Sequence, residues 1–299
     1  MTRMTIFSAP KPFTDPHINT IQRNAIQSWM HLGPDVEVFL IGDEEGLAQA
    51  AEEFGVRHFP QAATNDAGTP LIGSIFQLAR ENSSASLLAY VNGDILLLPG
   101  FVEMGERALE QSERFLLVGQ RWDLDITEAM DFSPGWDARL AEDARRRGAL
   151  HPPAGSDYFI YPRTVLQEIP ELTVGRAGWD NWVIYHAVSQ PWPAVDATPS
   201  IMIVHQNHDY AHLPGGKAHY DHHETKANLE AGGGEQNMYM LLDTNRELVA
   251  GKIRRPRLRM MRILRWLEMR ANPGRQHGLR WGLTRRLRRW RRKLAGVER

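Results

Sequence analysis

Four short stretches carry side chains that could do chemistry. In Ala89-Tyr90-Val91-Asn92-Gly93-Asp94 an apolar run ends in an acid. Burying a carboxylate without a partner is costly, so Asp94 must face something other than the core. An Asp at a strand end, just past a Gly, suits a divalent cation such as Mg²⁺ or Mn²⁺, which takes hard oxygen ligands; it also suits the capping of a turn. The second stretch, 205–212, holds His205, His208 and His212. That spacing could hold zinc on a helix, but the β-branched residues before it and the glycine-rich sequence after it argue against one. His208 and His212 then read as part of a polar loop. The third is Gly178-Trp179-Asp180-Asn181-Trp182. Asp180 opens a helix, as an N-cap or as a carboxylate base under an acceptor, and Trp179 and Trp182 offer flat faces to a sugar ring. The fourth places Asp157 at the entry of an aromatic strand, Tyr158-Phe159-Ile160-Tyr161, buried for structure or for catalysis.

The elements that must position these groups follow from periodicity. Strands are predicted at 3–9, 36–41, 56–59 and 87–91, and helices at 18–32, 47–54 and 71–79. This alternation predicts βαβ units and a mostly parallel sheet, whose ligands sit beyond the carboxyl ends of the strands. Asp94 falls there. Beyond it the alternation loosens, with a helix at 101–111, a strand at 115–118, a polar aromatic segment at 122–136 that could stack on sugars, and a charged stretch at 140–148. Strand-plus-loop units are predicted at 155–163 and 200–212, a helix at 181–188, and a mobile, His-bearing loop at 214–235.

The chain has 299 residues, is 42% hydrophobic and contains no cysteine, which excludes disulfides and thiolate metal sites. Its start lacks the apolar stretch of a signal peptide, and no window reaches the roughly 20 apolar residues of a membrane span. A soluble or peripheral cytoplasmic protein is expected. The net charge of −1 conceals a division: residues 251–299 hold 18 Lys and Arg against Glu268 and Glu298, while the first 250 residues carry twice as many acids as bases. A body at 1–250 and a basic amphipathic helical tail at 251–299 are expected. In the tail Leu279, Leu283, Leu287, Trp290 and Leu294 recur at helical spacing among arginines. Such a stripe suits an anionic membrane surface, with Trp266, Trp281 and Trp290 entering the headgroup region. Arg-rich helices also bind nucleic acid, though the three Trp favour the membrane, and a solvated charged face is the plain alternative.

In order along residues 3–212, the strand-end Asn92-Gly93-Asp94-Ile95 in the place of an Asp-x-Asp motif, the segment 155–163, Gly178 to Trp182 and the segment 205–212 resemble glycosyltransferases of the GT-A fold. The closest likeness is to little-characterised glycosyltransferase-like proteins of bacteria and plants. The resemblance implies a Rossmann-like central sheet flanked by helices and a nucleotide-sugar donor cradled by Ala9, Pro10 and Lys11, with Asp43 near the base. It implies that Asn92 and Asp94 replace the two acidic ends of Asp-x-Asp, that Asp94 and His205 bind Mn²⁺ or Mg²⁺, and that Asp180 stands near the acceptor hydroxyl. Asn92, being neutral, departs from the pattern and removes one charge from the metal site. The expected activity is sugar transfer to a saccharide or lipid-linked acceptor at the inner face of the membrane. Two rivals are a metal-dependent hydrolase built on His205, His208, Asp209 and His212, and a non-catalytic glycan-binding protein.

Overall fold

A computed structural model describes residues 2–208, 223–272, 274 and 277–296. The first half follows the predicted alternation: β1 (Met4–Ser8), α1 (Pro16–Met30), β2 (Val36–Ile41), α2 (Leu47–Phe54), β3 (Arg57–Phe59), α3 (Ile72–Asn82) and β4 (Leu87–Val91). Each element has a local cause. Asp15 caps α1 by accepting from the backbone N–H of His17 and Ile18, both at 2.9 Å, and Pro16 supplies the fixed φ of a first turn. The face Ile18, Ile21, Ala25, Ile26, Trp29 is buried on the sheet. Strands β1 and β4 are buried at every position, the pattern of strands covered on both faces.

The chain continues through β5 (Ile95–Leu97), α4 (Gly100–Leu109), β6 (Leu116–Val118), β7 (Trp122–Leu124), α5 (Trp136–Arg147), β8 (Ala149–Leu150), β9 (Tyr158–Pro162), α6 (Trp179–Val188), β10 (Ala194–Asp196), β11 (Ile203–Gln206) and α7 (His223–Ala231). It ends in β12 (Arg246–Val249), β13 (Lys252–Arg254), α8 (Met260–Ala271) and α9 (Leu279–Leu294). The main sheet has the order β13-β12-β10-β6-β9-β4-β1-β2-β3, in which only β9 and β13 run against the rest. Apolar clusters cover both of its faces. A smaller sheet, β5-β11-β7-β8, stands beside it; β11 pairs antiparallel with β5 and parallel with β7.

Several expectations change. In the aromatic segment 122–136, Phe132 and Trp136 pack on each other and on His31, with ring centroids 5.0 to 5.8 Å apart. The charged stretch at 140–148 is the solvent-facing run of α5, which buries Trp136, Leu140 and Ala144. Of the loop expected at 214–235, residues 223–231 form α7, anchored by buried Glu224 and Asn228; 214–222 lie outside the described residues.

The basic segment begins inside the sheet. Ala250 (φ 50°) and Gly251 (φ 72°) form a two-residue left-handed turn that folds β13 back on β12. A Cβ at position 251 would meet Arg107 Cδ at 2.5 Å, so any other residue would displace the Arg107 side chain. A division at 250/251 therefore cuts a hairpin. Beyond it, α8 and α9 pack as a helical pair with an unusual interior. Glu268 is 1% exposed and accepts from Arg288 Nε at 2.8 Å and Arg291 Nε at 2.9 Å, with Arg265 Nη1 at 3.4 Å. Burial would raise its pKa, but Arg265 and Arg291 outweigh that and hold it low. Arg265 also reaches Asp243, and Arg262 reaches Asp196 and Glu247, which ties the pair to the acidic body. The apolar stripe is turned outward: Trp266, Leu283, Trp290 and Leu294 are all at least half exposed, and Trp281 is half-buried under Arg288. No described helix is long and apolar enough to cross a membrane.

Candidate active site

A cleft of about 790 Å³ opens at the carboxyl ends of β1 and β4. The loop after β1 supplies Ala9, Pro10 and Lys11, and the turn after β4 supplies Asn92, Gly93 and Asp94. The two are locked together. Gln22 on α1 accepts from Lys11 N at 2.7 Å and donates to Lys11 O at 2.9 Å, which fixes the first loop. A Cβ at Gly93 would stand 3.0 Å from Gln22 Oε1 and 3.3 Å from Pro10 Cα, so the close approach needs a residue without one.

Asp94 is the centre of the site. It is 9% exposed, its Oδ2 lies 3.2 Å from His208 Nε2, 3.7 Å from Lys11 Nζ and 3.9 Å from His205 Nε2, and its Oδ1 is buried without a hydrogen-bond partner among the described residues. Burial alone would raise its pKa; the hydrogen bond from His208 and the charges of His205 and Lys11 overcome that and hold it well below the carboxylate range. The antiparallel pairing of β5 with β11 sets Ile95 opposite His205, and the chain leaving β11 then brings His208 back over Asp94. The ligand atoms of Asp94, His205 and His208 all fall within 4.8 Å of one another.

These residues fit a divalent cation. Ligand atoms about 2.0 to 2.2 Å from one ion and adjacent in its shell stand about 3 Å apart, close to the Asp94–His208 separation. The buried, unpartnered Oδ1 of Asp94 is a further donor. Behind the triad, His205 Nδ1 lies 3.2 Å from Asp123 Oδ1, within ion-pair distance but without hydrogen-bond alignment. Asp123 sits opposite His205 in the β7–β11 register and also holds His151 Nδ1 at 2.7 Å and Arg121 Nε at 2.8 Å.

The sequence reading of His208 as part of a polar loop is therefore corrected: the fold carries it to the site. Asp209 and His212 lie outside the described residues. Arg121, Asp123 and His151 carried no local signal; only the pairing of strands far apart in sequence gathers them.

Asp157 lies on the opposite wall, where its Oδ1 accepts from Arg121 Nη1 at 2.6 Å and Asn92 Nδ2 at 3.0 Å. Because β9 runs backwards, its first residues reach the same rim as the last residues of β4. Asp180, in the first turn of α6, lines the cleft. Burial pushes its pKa up to about 6, the Asp157 charge adds to this, and backbone N–H groups at the helix start oppose it. A carboxyl titrating there can exchange protons near neutral pH. The N-cap position of α6 is Gly178, at φ 108°, which has no side chain to cap with and makes the entry turn.

Trp179 lines the cleft with one edge while packing against Tyr90 and Phe159 at 5.0 and 5.6 Å. Trp182 turns into the core and stacks on His186, away from the cleft. Asp43 is exposed and outside the lining; its neighbour Glu44 lines the cleft instead, its pKa raised by burial and by Asp43. At the outer rim Arg176 Nε donates to Glu224 Oε2 at 2.6 Å and Asn65 Nδ2 to Glu224 Oε1 at 2.7 Å, joining three segments around the mouth.

No protein-family model matches the chain, nor does any curated protein sequence. Solved structures do match. Glucosyl-3-phosphoglycerate synthase of Mycobacterium tuberculosis is 16% identical, with a TM-score of 0.47 over 77% of this chain and 80% of that one. The same enzyme in complex with Mn²⁺, UDP and phosphoglyceric acid is 15% identical, with a TM-score of 0.46 over 78% and 79%. S. aureus TarS 1–349 in complex with UDP-GlcNAc is 9% identical, with a TM-score of 0.43 over 69% and 60%. At these identities the likeness concerns the α/β fold alone.

Proposed function

We propose that the chain is a nucleotide-sugar-dependent glycosyltransferase that works with a divalent cation, Mn²⁺ or Mg²⁺. The observation that carries this reading is the meeting, in one strand-end cleft, of Asp94 and His208, two members of the cation-fitting triad that His205 completes, with the separate, raised-pKa carboxyl of Asp180. A cation held on the triad would neutralise a leaving diphosphate. The β1 loop with Lys11 cradles the donor phosphates, and Asn92, held by Asp157, sets the shape of the donor side. Asp180 takes the proton from the acceptor hydroxyl as the anomeric carbon becomes cationic, and Trp179 offers its edge to the acceptor. A thermal-shift screen of UDP-, GDP-, CMP- and dTDP-sugars with and without Mn²⁺ tests the reading. One donor should raise the melting temperature more with the ion than without it, and Asp94→Ala should remove the difference. Sugar hydrolysis with no nucleotide donor would favour the hydrolase reading instead.

The acceptor is proposed to lie at an anionic membrane surface on the cytoplasmic side, where a lipid-linked saccharide would be held. The outward Trp266, Leu283, Trp290 and Leu294, set among arginines, support this. Vesicles containing anionic lipid should sediment the protein in low salt, and Trp266→Ser with Trp290→Ser should weaken this. Indifference to lipid charge would refute the assignment.

A further inference from the structure

If the triad is a cation site, Lys11 stands in an odd place. Its Nζ is 3.0 Å from His208 Nε2 and 3.7 Å from Asp94 Oδ2, two of the three ligand positions. Those atoms are themselves 3.2 Å apart. A carboxylate oxygen and an imidazole nitrogen at that spacing are held either by the imidazole proton or by a positive charge lying against both. The ammonium is a compact cation with three donors, so it meets the same coulombic need that a divalent ion would.

We propose that Lys11 is a built-in competitor for the cation site: its ammonium holds the triad in the absence of a divalent ion, yields to the ion, and then serves the diphosphate. This rests on reading the triad as a cation site. The backbone geometry allows the exchange. Residue 11 is pinned at both its N–H and its C=O by Gln22, while its side chain is 36% exposed. The head can therefore swing on its flexible stem while the loop stays still. An ion and an ammonium cannot both lie against Asp94 Oδ2 and His208 Nε2 without strong repulsion. A diphosphate entering the cleft gives Lys11 a second anionic partner and lowers the cost of leaving the triad. Cation and diphosphate then assist each other's binding beyond their direct contact, and by linkage the assistance is equal in both directions.

The test is calorimetric titration of Mn²⁺ alone, and of Mn²⁺ with inorganic pyrophosphate, into the wild type, Lys11→Met and Lys11→Arg, with melting temperatures confirming the fold. Lys11→Met should bind Mn²⁺ alone about tenfold more tightly, because a positive charge beside the ion is gone. Lys11→Arg, which keeps the charge, should not. Pyrophosphate should improve Mn²⁺ affinity by a larger factor in the wild type than in Lys11→Met. Equal Mn²⁺ affinity in wild type and Lys11→Met would overturn the competition while leaving the cation site standing. Failure of all three proteins to take up Mn²⁺ would overturn the cation site, and the competition with it.

Discussion

Replacing Asp180 by Asn should make the protein more stable and less active at the same time. The folded state lifts the Asp180 carboxyl from its ordinary 3.8 to about 6, mainly by burial. Between those values the native state holds a proton that the unfolded chain has released. Stability therefore falls as pH rises through this window and stays lower above it. The rise from 3.8 to about 6 corresponds to about 3 kcal/mol, and the residual solvent contact of Asp180 reduces this to about 1–2 kcal/mol. Asn keeps the shape and the acceptor oxygen for the helix N–H groups but carries no charge. Denaturant unfolding of both proteins from pH 4 to 8 should give nearly equal stabilities at pH 4 and an Asn advantage that grows through pH 6, then levels. Turnover, once a donor is found, should drop by about 10²–10⁴, and the wild-type acid limb near pH 6 should vanish. An Asn variant less stable than wild type at pH 8 would refute the reasoning and return Asp180 to a capping role.

Three further outcomes are expected. Glu268→Ala leaves Arg291 buried without its acceptor, while Arg265 keeps Asp243, so the helical pair should lose about 3–5 kcal/mol of docking energy, read as lost amide protection in 260–294; unchanged protection would contradict the charged interior. Truncation after Ala250 and truncation after Arg254 both free Asp243, Asp196 and Glu247 from Arg262 and Arg265, but only the first strips β13 from the sheet edge, so it should lower the melting temperature more, and equal melting of the two would refute a structural role for β13. Gly93→Ala forces a Cβ against Gln22 and Pro10, and should cost about 1–3 kcal/mol while weakening Mn²⁺ uptake; an unaffected melting curve would show that the two loops are not tightly held together.

The first half of the fold was legible because its signals are local. Ile18, Ile21, Ala25 and Ile26 repeat at helical spacing, and β2, α2 and β4 fall on the residues the pattern picks out. Asp94 was legible as a strand-end acid. What escaped depends on partners distant in sequence. His208 looks like loop filler until β5 and β11 pair, and Asp123 is one more acid until β7 lies beside β11. The β12–β13 turn hid because Ala250, not Asn or Asp, takes the left-handed position. In the tail, the stripe of Leu and Trp was visible, and Trp266, Leu283, Trp290 and Leu294 do face outward; what escaped was the charged interior, because Glu268 meets Arg288 and Arg291 only when α9 packs on α8.

The union of Asp94 with His208 also bears on how the chain matures. Asp94 leaves the ribosome more than a hundred residues before His208 does, and the βαβ units around β1, β2 and β4 have only short loops to close, so they form first. During that interval the acid has neither of its imidazoles. The cation-fitting cluster arises only when β11 pairs between β5 and β7, completing the smaller sheet. Affinity for an ion is thus a property of the finished molecule and of no fragment that precedes it. An ion held by all three groups cannot template the early steps; it stabilises only states in which β11 already lies beside β5.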